Sequence, residues 1–307
     1  MNFKMQDVQI RYRKRHEIDN DKWNLCIETA PNGLIYAYSF YLDGTADNWD
    51  ALILNDYEAV MPLPWRKKIG FYYLYQPFFS AQLGVFGNNI NANLVENFLK
   101  AIPSKFKLWE LSLNHQNIFR LNSFRLFERV NFVLPLNHAY ETLYTNYRES
   151  IKRNIKKSVQ YGCHKKTDFD IDDVIELSRQ QKHIASDDEF QKFKNLYLLL
   201  KDKSASKTYG IFSDKNELIA SCVFTFSHNR AYYILVGNHP NGRTLGASHA
   251  LIDAFIKDYA GQNLTLDFEG SDIKNLAFFY SSFGAMEEKY AAIKVNALPW
   301  YVKWMKA

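Results

Sequence analysis

The chain has 307 residues, 47% of them hydrophobic and 23% charged, a composition that builds a core and excludes disordered and fibrous classes. No apolar run approaches the roughly 18 residues of a membrane span, no signal-peptide core opens the sequence, and Cys26, Cys163 and Cys222 form no metal or redox pattern. A soluble cytoplasmic protein with free thiols and no metal is therefore expected. The net charge of +5 sits in one segment: residues 148–166 carry seven basic side chains against Glu149, leaving 31 basic and 32 acidic elsewhere.

Val8–Arg15 alternates and predicts a strand, and Trp23–Ala30 a short helix. Leu34–Leu42 and Ala51–Leu54 read as strands, with Asp43-Gly44 as a turn. Glu58–Leu63 runs into Pro62 and Pro64, so an edge strand or a strand end is expected. Phe71–Tyr75 predicts a strand, Gln76–Gly87 a loop, Leu94–Ile102 a helix, and Leu108–Leu113 and Leu126–Leu134 strands. Leu143, Tyr147, Ile151, Ile155 and Val159 form a stripe at spacing four, predicting one helix over Ala139–Tyr161 that Gly162 ends. Its basic side chains are Arg148, Lys152, Arg153, Lys156 and Lys157, a solvated face or a landing surface for a polyanion. Ile171–Lys182 and Phe190–Leu200 read as helices, and Thr208–Phe212, Leu218–Phe226 and Arg230–Val236 as a meander.

After that meander, Gly237–Thr244 has turn composition. Leu245–Tyr259 carries a helical stripe through Ala247, Leu251 and Phe255. Leu264, Leu266 and Phe268 alternate as a strand. Ser271 or Asp272 can cap a further helix, and Gly284 can end it. Glu287–Val295 is the last strand. Strand, glycine-containing loop, helix, strand, helix is the order that aims a helix N-terminus at the carboxyl ends of parallel strands, where anions bind.

The two halves echo each other. Tyr72-Tyr73 recurs as Tyr232-Tyr233, Leu83-Gly84 as Leu245-Gly246, and Ser123-Phe124 as Ser282-Phe283. The offset is 160 residues at the tyrosines and 159 at the serines. An ordered series at nearly constant offset predicts an internal repeat, with domains at 1–137 and 165–307 and a basic linker helix over 138–164.

Arg243-Thr244-Leu-Gly246-Ala247-Ser248, between a strand and a helix, resembles the R/Q-x-x-G-x-G/A cofactor loop of GNAT acyltransferases, with Ser248 departing from its last position. Phe279-Tyr280-Ser-Ser-Phe283-Gly284 resembles the family's later helix, whose tyrosine acts as general acid. Two such copies joined by a basic helix resemble the Fem-type, tandem-GNAT branch. The resemblance implies an α/β fold of mixed sheets in two tandem GNAT-like domains, the second carrying the donor site. It implies an N-acyltransferase that moves an acyl group from acyl-CoA, acetyl-CoA foremost, to an amine of a small molecule or peptide. Val236, Gly237, Arg243, Thr244, Gly246, Ala247 and Ser248 would hold the cofactor, and Tyr280 would protonate the leaving group. Glu269 or Asp267, at the end of the Leu264–Phe268 strand, is the candidate base, with Glu269 favoured because Gly270 turns the chain there. The alternatives are a Fem-type transferase using aminoacyl-tRNA on cell-wall peptides, with tRNA on the basic helix, and a binding protein that has lost the chemistry. No DNA partner is expected. His239 and His249 are more ordinary as structural residues.

Overall fold

The computed structural model describes residues 9–181, 185–270, 272–300 and 302. The chain divides into two compact units, Met1–Arg129 with Lys289–Ala307, and Val130–Glu288.

The first unit opens with β1 (Ile10–Lys14) and α1 (Asn20–Thr29), whose N-cap Asp19 accepts the Asp21 and Lys22 amides. The run expected as a strand over 34–42 is instead a 3-10 turn, Ile35–Ala37, and α2, Ser39–Thr45. Tyr36, Tyr41 and Leu42 are fully buried there, and a short apolar run buried all round carries no period to separate helix from strand. β2 (Trp49–Leu54) pairs with β3 (Ala59–Lys68), which continues through both prolines rather than stopping. Pro62 and Pro64 fall between the pairing of β3 with β5 (Phe86–Gly87) at Ala59–Val60 and with β4 (Phe71–Leu74) at Trp65–Lys68. That stretch has a partner strand on one side only, so the missing donors break no ladder there. α3 (Ala92–Lys100), capped by the Asn91 side chain, leads to β6 (Phe106–Ser112).

The chain then passes through β7 (Leu126–Pro135) into the second unit. The helix expected over 139–161 is two: α4 (Tyr140–Thr145) and α5 (Glu149–Gln160). Its stripe holds through Ile155, but Ser158 is buried and Val159 is 68% exposed. β8 (His164–Thr167), α6 (Ile171–Arg179) and α7 (Asp187–Asp202) follow; Lys182 lies outside the described residues, as do Val8 and Ser271. β9 (Ser206–Phe212), β10 (Leu218–Ser227) and β11 (Arg230–Asn238) form the meander. α8 (Pro240–Leu245), in place of the expected loop, precedes α9 (Ala247–Tyr259). β12 (Thr265–Asp267) and α10 (Lys274–Ser281) complete this unit, Gly284 following α10 at φ 85°. β13 (Met286–Asn296) returns the chain to the first unit, where it pairs with β6.

Strand order is β1-β2-β3-β4-β6-β13 in the first unit and β7-β12-β11-β10-β9-β8 in the second. The repeat is visible in the pairing. β4 with its Tyr72-Tyr73 lies parallel to β6, as β11 with Tyr232-Tyr233 lies parallel to β12. Each parallel pair is completed by an antiparallel strand from the other copy: β13 beside β6, β7 beside β12. The compact units therefore do not follow the expected boundaries at 137 and 165. The closing strands are exchanged, and residues 138–164 belong to the second unit rather than linking two bodies. Leu143, Tyr147, Ile151 and Ile155 share one buried cluster with Leu251, Ile252 and Phe255 of α9. On the sheet side α9 stacks Phe255 on Phe224 of β10 at 3.7 Å between centroids and sets it against the Tyr209 ring of β9, so the helix is held against β9 and β10.

Candidate functional site

Parallel strands that leave each other open a crevice at their carboxyl ends, where ligands bind. In the second unit, β11 and β12 pair only from Arg230–Thr265 to Tyr232–Asp267. Beyond that register β11 runs on for six residues while β12 ends. The first unit closes the equivalent gap. Leu83 bridges in parallel to Leu113, the Leu83 amide donates to the Ser112 carbonyl at 2.8 Å, and the Ser112 amide donates to Gln76 Oε1 at 3.0 Å. No described helix separates β6 from β7 in that unit, so it has no counterpart of α10.

The free stretch of β11 is irregular. Cys222 of β10 faces both Leu235 and Val236, a β-bulge, and Leu235 adopts φ 47°. A left-handed leucine inside a strand is held by its surroundings, and such strain gathers at binding sites. The Val236 carbonyl accepts from Gln181 Nε2 at 3.4 Å. Gly237 gives α6 room: a Cβ there would lie 2.8 Å from Ser221 Oγ and 3.0 Å from Leu177. No sequence pattern marks the bulge, because one extra residue leaves the composition of the strand unchanged.

Across the gap, Tyr280 of α10 stacks on Phe268 (4.4 Å, 20°) and meets the edge of Tyr233 of β11 (6.5 Å, 87°). Burial raises its hydroxyl well above the usual tyrosine range, and the nearby charge of Glu269 raises it further. Glu269 has left the strand, with φ 61°, and Gly270 follows at φ 90°. The structure thus brings Tyr280 and Glu269 together beside the free end of β11.

Asp267 is differently placed. It is fully buried and ion-paired with Arg230 at 2.8 Å; it accepts from Asn131 Nδ2 at 2.9 Å and from the Glu269 amide at 2.8 Å. A carboxylate with its oxygens so engaged is not available as a base, which corrects the expectation for this residue. Its bond to the Glu269 amide fixes the turn that presents Glu269. Arg230 is also paired with Glu288. Neither Arg230 nor Asn131 was legible as a partner, since Asn131 lies 136 residues away in the chain.

The loop expected to hold the cofactor is a helix–glycine–helix junction. Gly246 ends α8 and begins α9 at φ 72°, and a Cβ on it would lie 2.4 Å from the Asn154 carbonyl oxygen of α5. The glycine is required by the packing of α5, whatever part it has in holding a cofactor. Ala247 is buried, and the Ser248 hydroxyl donates to Asn238 Oδ1. Arg243 and Thr244 are exposed. The exposed Arg243 guanidinium beside the start of α9 suits a phosphate group, and the free edge of β11 suits an amide-containing arm. The residues therefore fit an acyl-CoA along the edge, with the Asn154 side of Gly246 closed.

His249, on the first turn of α9, lies edge-on to Phe279 at 5.0 Å with Nε2 3.4 Å from Asn154 Nδ2. Burial lowers it to about 4, so it is neutral at physiological pH. His239 caps α8, its Nδ1 accepting the Asn241 amide at 3.2 Å.

The basic helix presents less charge than its sequence promised. Arg148 lies over Phe278 at 4.3 Å, and Lys152 is bound to Glu149 at 2.9 Å with its side chain 19% exposed. Arg153 and Lys156 are exposed and Lys157 is half-buried. Lys165, outside the helix, pairs with Asp258 at 2.6 Å. Among the described residues no three His, Cys, Asp or Glu side chains are placed to hold a metal, and no helix is long and apolar enough to cross a membrane.

A family model described as an acetyltransferase (GNAT) domain matches residues 145–274, the stretch that carries α5, β11, α9 and β12. No curated protein gives a significant sequence match. Among solved structures, FemX superposes with a TM-score of 0.63 at 12% identity, covering 90% of this chain and 96% of its own. A tandem GNAT protein from the clavulanic acid biosynthesis pathway, solved without AcCoA, gives 0.55 at 11% identity, covering 95% and 99%. L-PGS from Bacillus licheniformis gives 0.53 at 11% identity, covering 94% and 95%. At such identities the likeness concerns fold. Residues 145–274 match the model of a GNAT acetyltransferase domain, and the chain as a whole has the tandem-GNAT fold shared with these structures.

Proposed function

We propose that the second unit is an N-acyltransferase that binds an acyl-CoA along the free edge of β11 and passes its acyl group to an amine. The observation that carries this reading is the departure of β11 from β12 with Tyr280 and Glu269 beside it, against the closed gap of the first unit. The donor supplies an activated thioester carbonyl; the nitrogen–carbon bond forms as the carbon–sulfur bond breaks. Glu269 takes the proton that the attacking amine loses, directly or through one water. Tyr280, raised above its usual range, stays protonated at neutral pH and donates its hydroxyl hydrogen to the departing sulfur. Asp267 and Arg230 hold the turn beneath Glu269. The bulge at Leu235 turns main-chain groups towards the acyl arm.

A second reading, aminoacyl-tRNA as donor, is favoured by Arg153 and Lys156 on the open face of α5. Thermal shift with acetyl-CoA, with free CoA and with bulk tRNA separates the two. Under the first reading acetyl-CoA at 100 times its Kd stabilises the protein by about 2.7 kcal/mol and tRNA has no effect. Stabilisation by tRNA alone transfers the chemistry to the second reading.

A further inference from the structure

β3 and β4 of the first unit are joined by Ile69 and Gly70, with φ of 48° and 80°. Two central residues with positive φ form the type I′ turn, which favours Asn, Asp and Gly. A β-branched residue is strained there, and Ile69 is 63% exposed. Ile69 itself, with Lys68, Phe71, Tyr73, Leu298 and Val302, helps line an apolar hollow of about 130 Å³. Trp300, on the same terminal segment, is 83% exposed.

The segments that meet here, residues 66–73, 104–109 and 296–302, contain Arg66, Lys67, Lys68, Lys105 and Lys107 and no Asp or Glu. Arg66 pairs with Asp47 and Lys105 with Asp50; Lys67 lies over the Tyr72 ring. The sequence beyond Val302 continues the composition with Lys303-Trp304-Met305-Lys306. Exposed aliphatic and tryptophan side chains amid lysines are the composition of a lipid headgroup boundary, where rings sit at the interface and cations meet phosphates. A second copy of the chain would bring the same basic face against itself across a two-fold contact, like charge on like.

We propose that this tip of the first unit docks on an anionic lipid surface, with Ile69 and Trp300 entering the headgroup boundary and Lys67 and Lys68, on opposite sides of the hairpin, meeting lipid phosphates. The inference is independent of the chemistry in the second unit. It gives a role to a unit whose own crevice is closed.

The test is co-sedimentation of the full chain with phosphatidylcholine vesicles with and without phosphatidylglycerol. Ile69→Asn is the informative variant, because asparagine suits the turn and the fold is retained. The wild-type protein pellets with the anionic vesicles and is released by salt. Ile69→Asn melts no lower than wild type yet partitions about tenfold less. Lys67→Glu with Lys68→Glu abolishes the preference for phosphatidylglycerol. The proposal is overturned if anionic vesicles do not bind, if binding is the same in both variants, or if these substitutions instead dissociate a solution dimer.

Discussion

Replacing Gly246 by alanine tests how the start of α9 is built. Gly246 sits at φ 72°, and an added Cβ would lie 2.4 Å from the Asn154 carbonyl oxygen and 3.0 Å from its carbon. The left-handed conformation alone costs a residue with a Cβ about 1 kcal/mol. The overlap is with backbone, so it is relieved only by shifting α5 away from α9, and Ile151 and Ile155 anchor α5 in the shared core. Overpacking of this kind adds about 1–3 kcal/mol, for a loss of about 2–4 kcal/mol. Gly261 is the control: it has φ 80°, and its added Cβ meets nothing within 4 Å. Urea unfolding followed by tryptophan fluorescence gives both losses. Gly261→Ala loses about 1 kcal/mol and Gly246→Ala at least twice that. Equal losses would refute the close approach of α5, and with it the argument that the packing of α5 requires a glycine here.

Asp267→Asn removes the charge paired with buried Arg230 and lowers stability by about 3 kcal/mol; a variant as stable as wild type but inactive would restore Asp267 as the base. Tyr280→Phe keeps the ring between Tyr233 and Phe268 and, in steady-state assays with whichever donor binds, lowers turnover roughly 10²–10⁴-fold while the melting curve moves little; undiminished turnover rejects the role. His249, lowered by burial to about 4, makes stability depend on pH. Its folded value lies below its unfolded one, so its contribution is fully present above about pH 6.5 and is lost progressively as pH falls towards 4, about 3 kcal/mol in all. His249→Phe flattens the fall in urea stability between pH 6.5 and 4.5, and an unchanged slope would show that other groups cause it.

What was legible in the sequence was local. The helical stripe at Leu251 and Phe255 predicted α9, and alternation around Leu266 predicted β12 beside it. The recurring tyrosine pairs located the two parallel strands that define each copy. The order of these elements placed Glu269 and Tyr280 near one another. What depended on partners far along the chain was not legible. Asp267 looked like a base until Arg230 and Asn131 closed around it. Gly246 looked like a ligand-binding glycine, with no sign of Asn154 lying against it. The exchange of β7 and β13 was hidden because pairing across the repeat leaves no mark on either strand. α2 was misread because Tyr36, Tyr41 and Leu42 are buried without a polar face to set a period. Arg148 and Lys152 counted towards a polyanion surface in the sequence; in the structure Phe278 and Glu149 hold them.

Hydrogen–deuterium exchange with and without saturating acetyl-CoA tests the central claim most directly, because it reports which main-chain amides the donor meets. If the donor lies along the free edge of β11, amides from Leu235 through Ser248 exchange more slowly on binding, while those of the equivalent stretch of the first unit, Phe71 to Val85, are unchanged. Protection confined to the first unit, or no protection in β11 when acetyl-CoA is bound, would contradict the account.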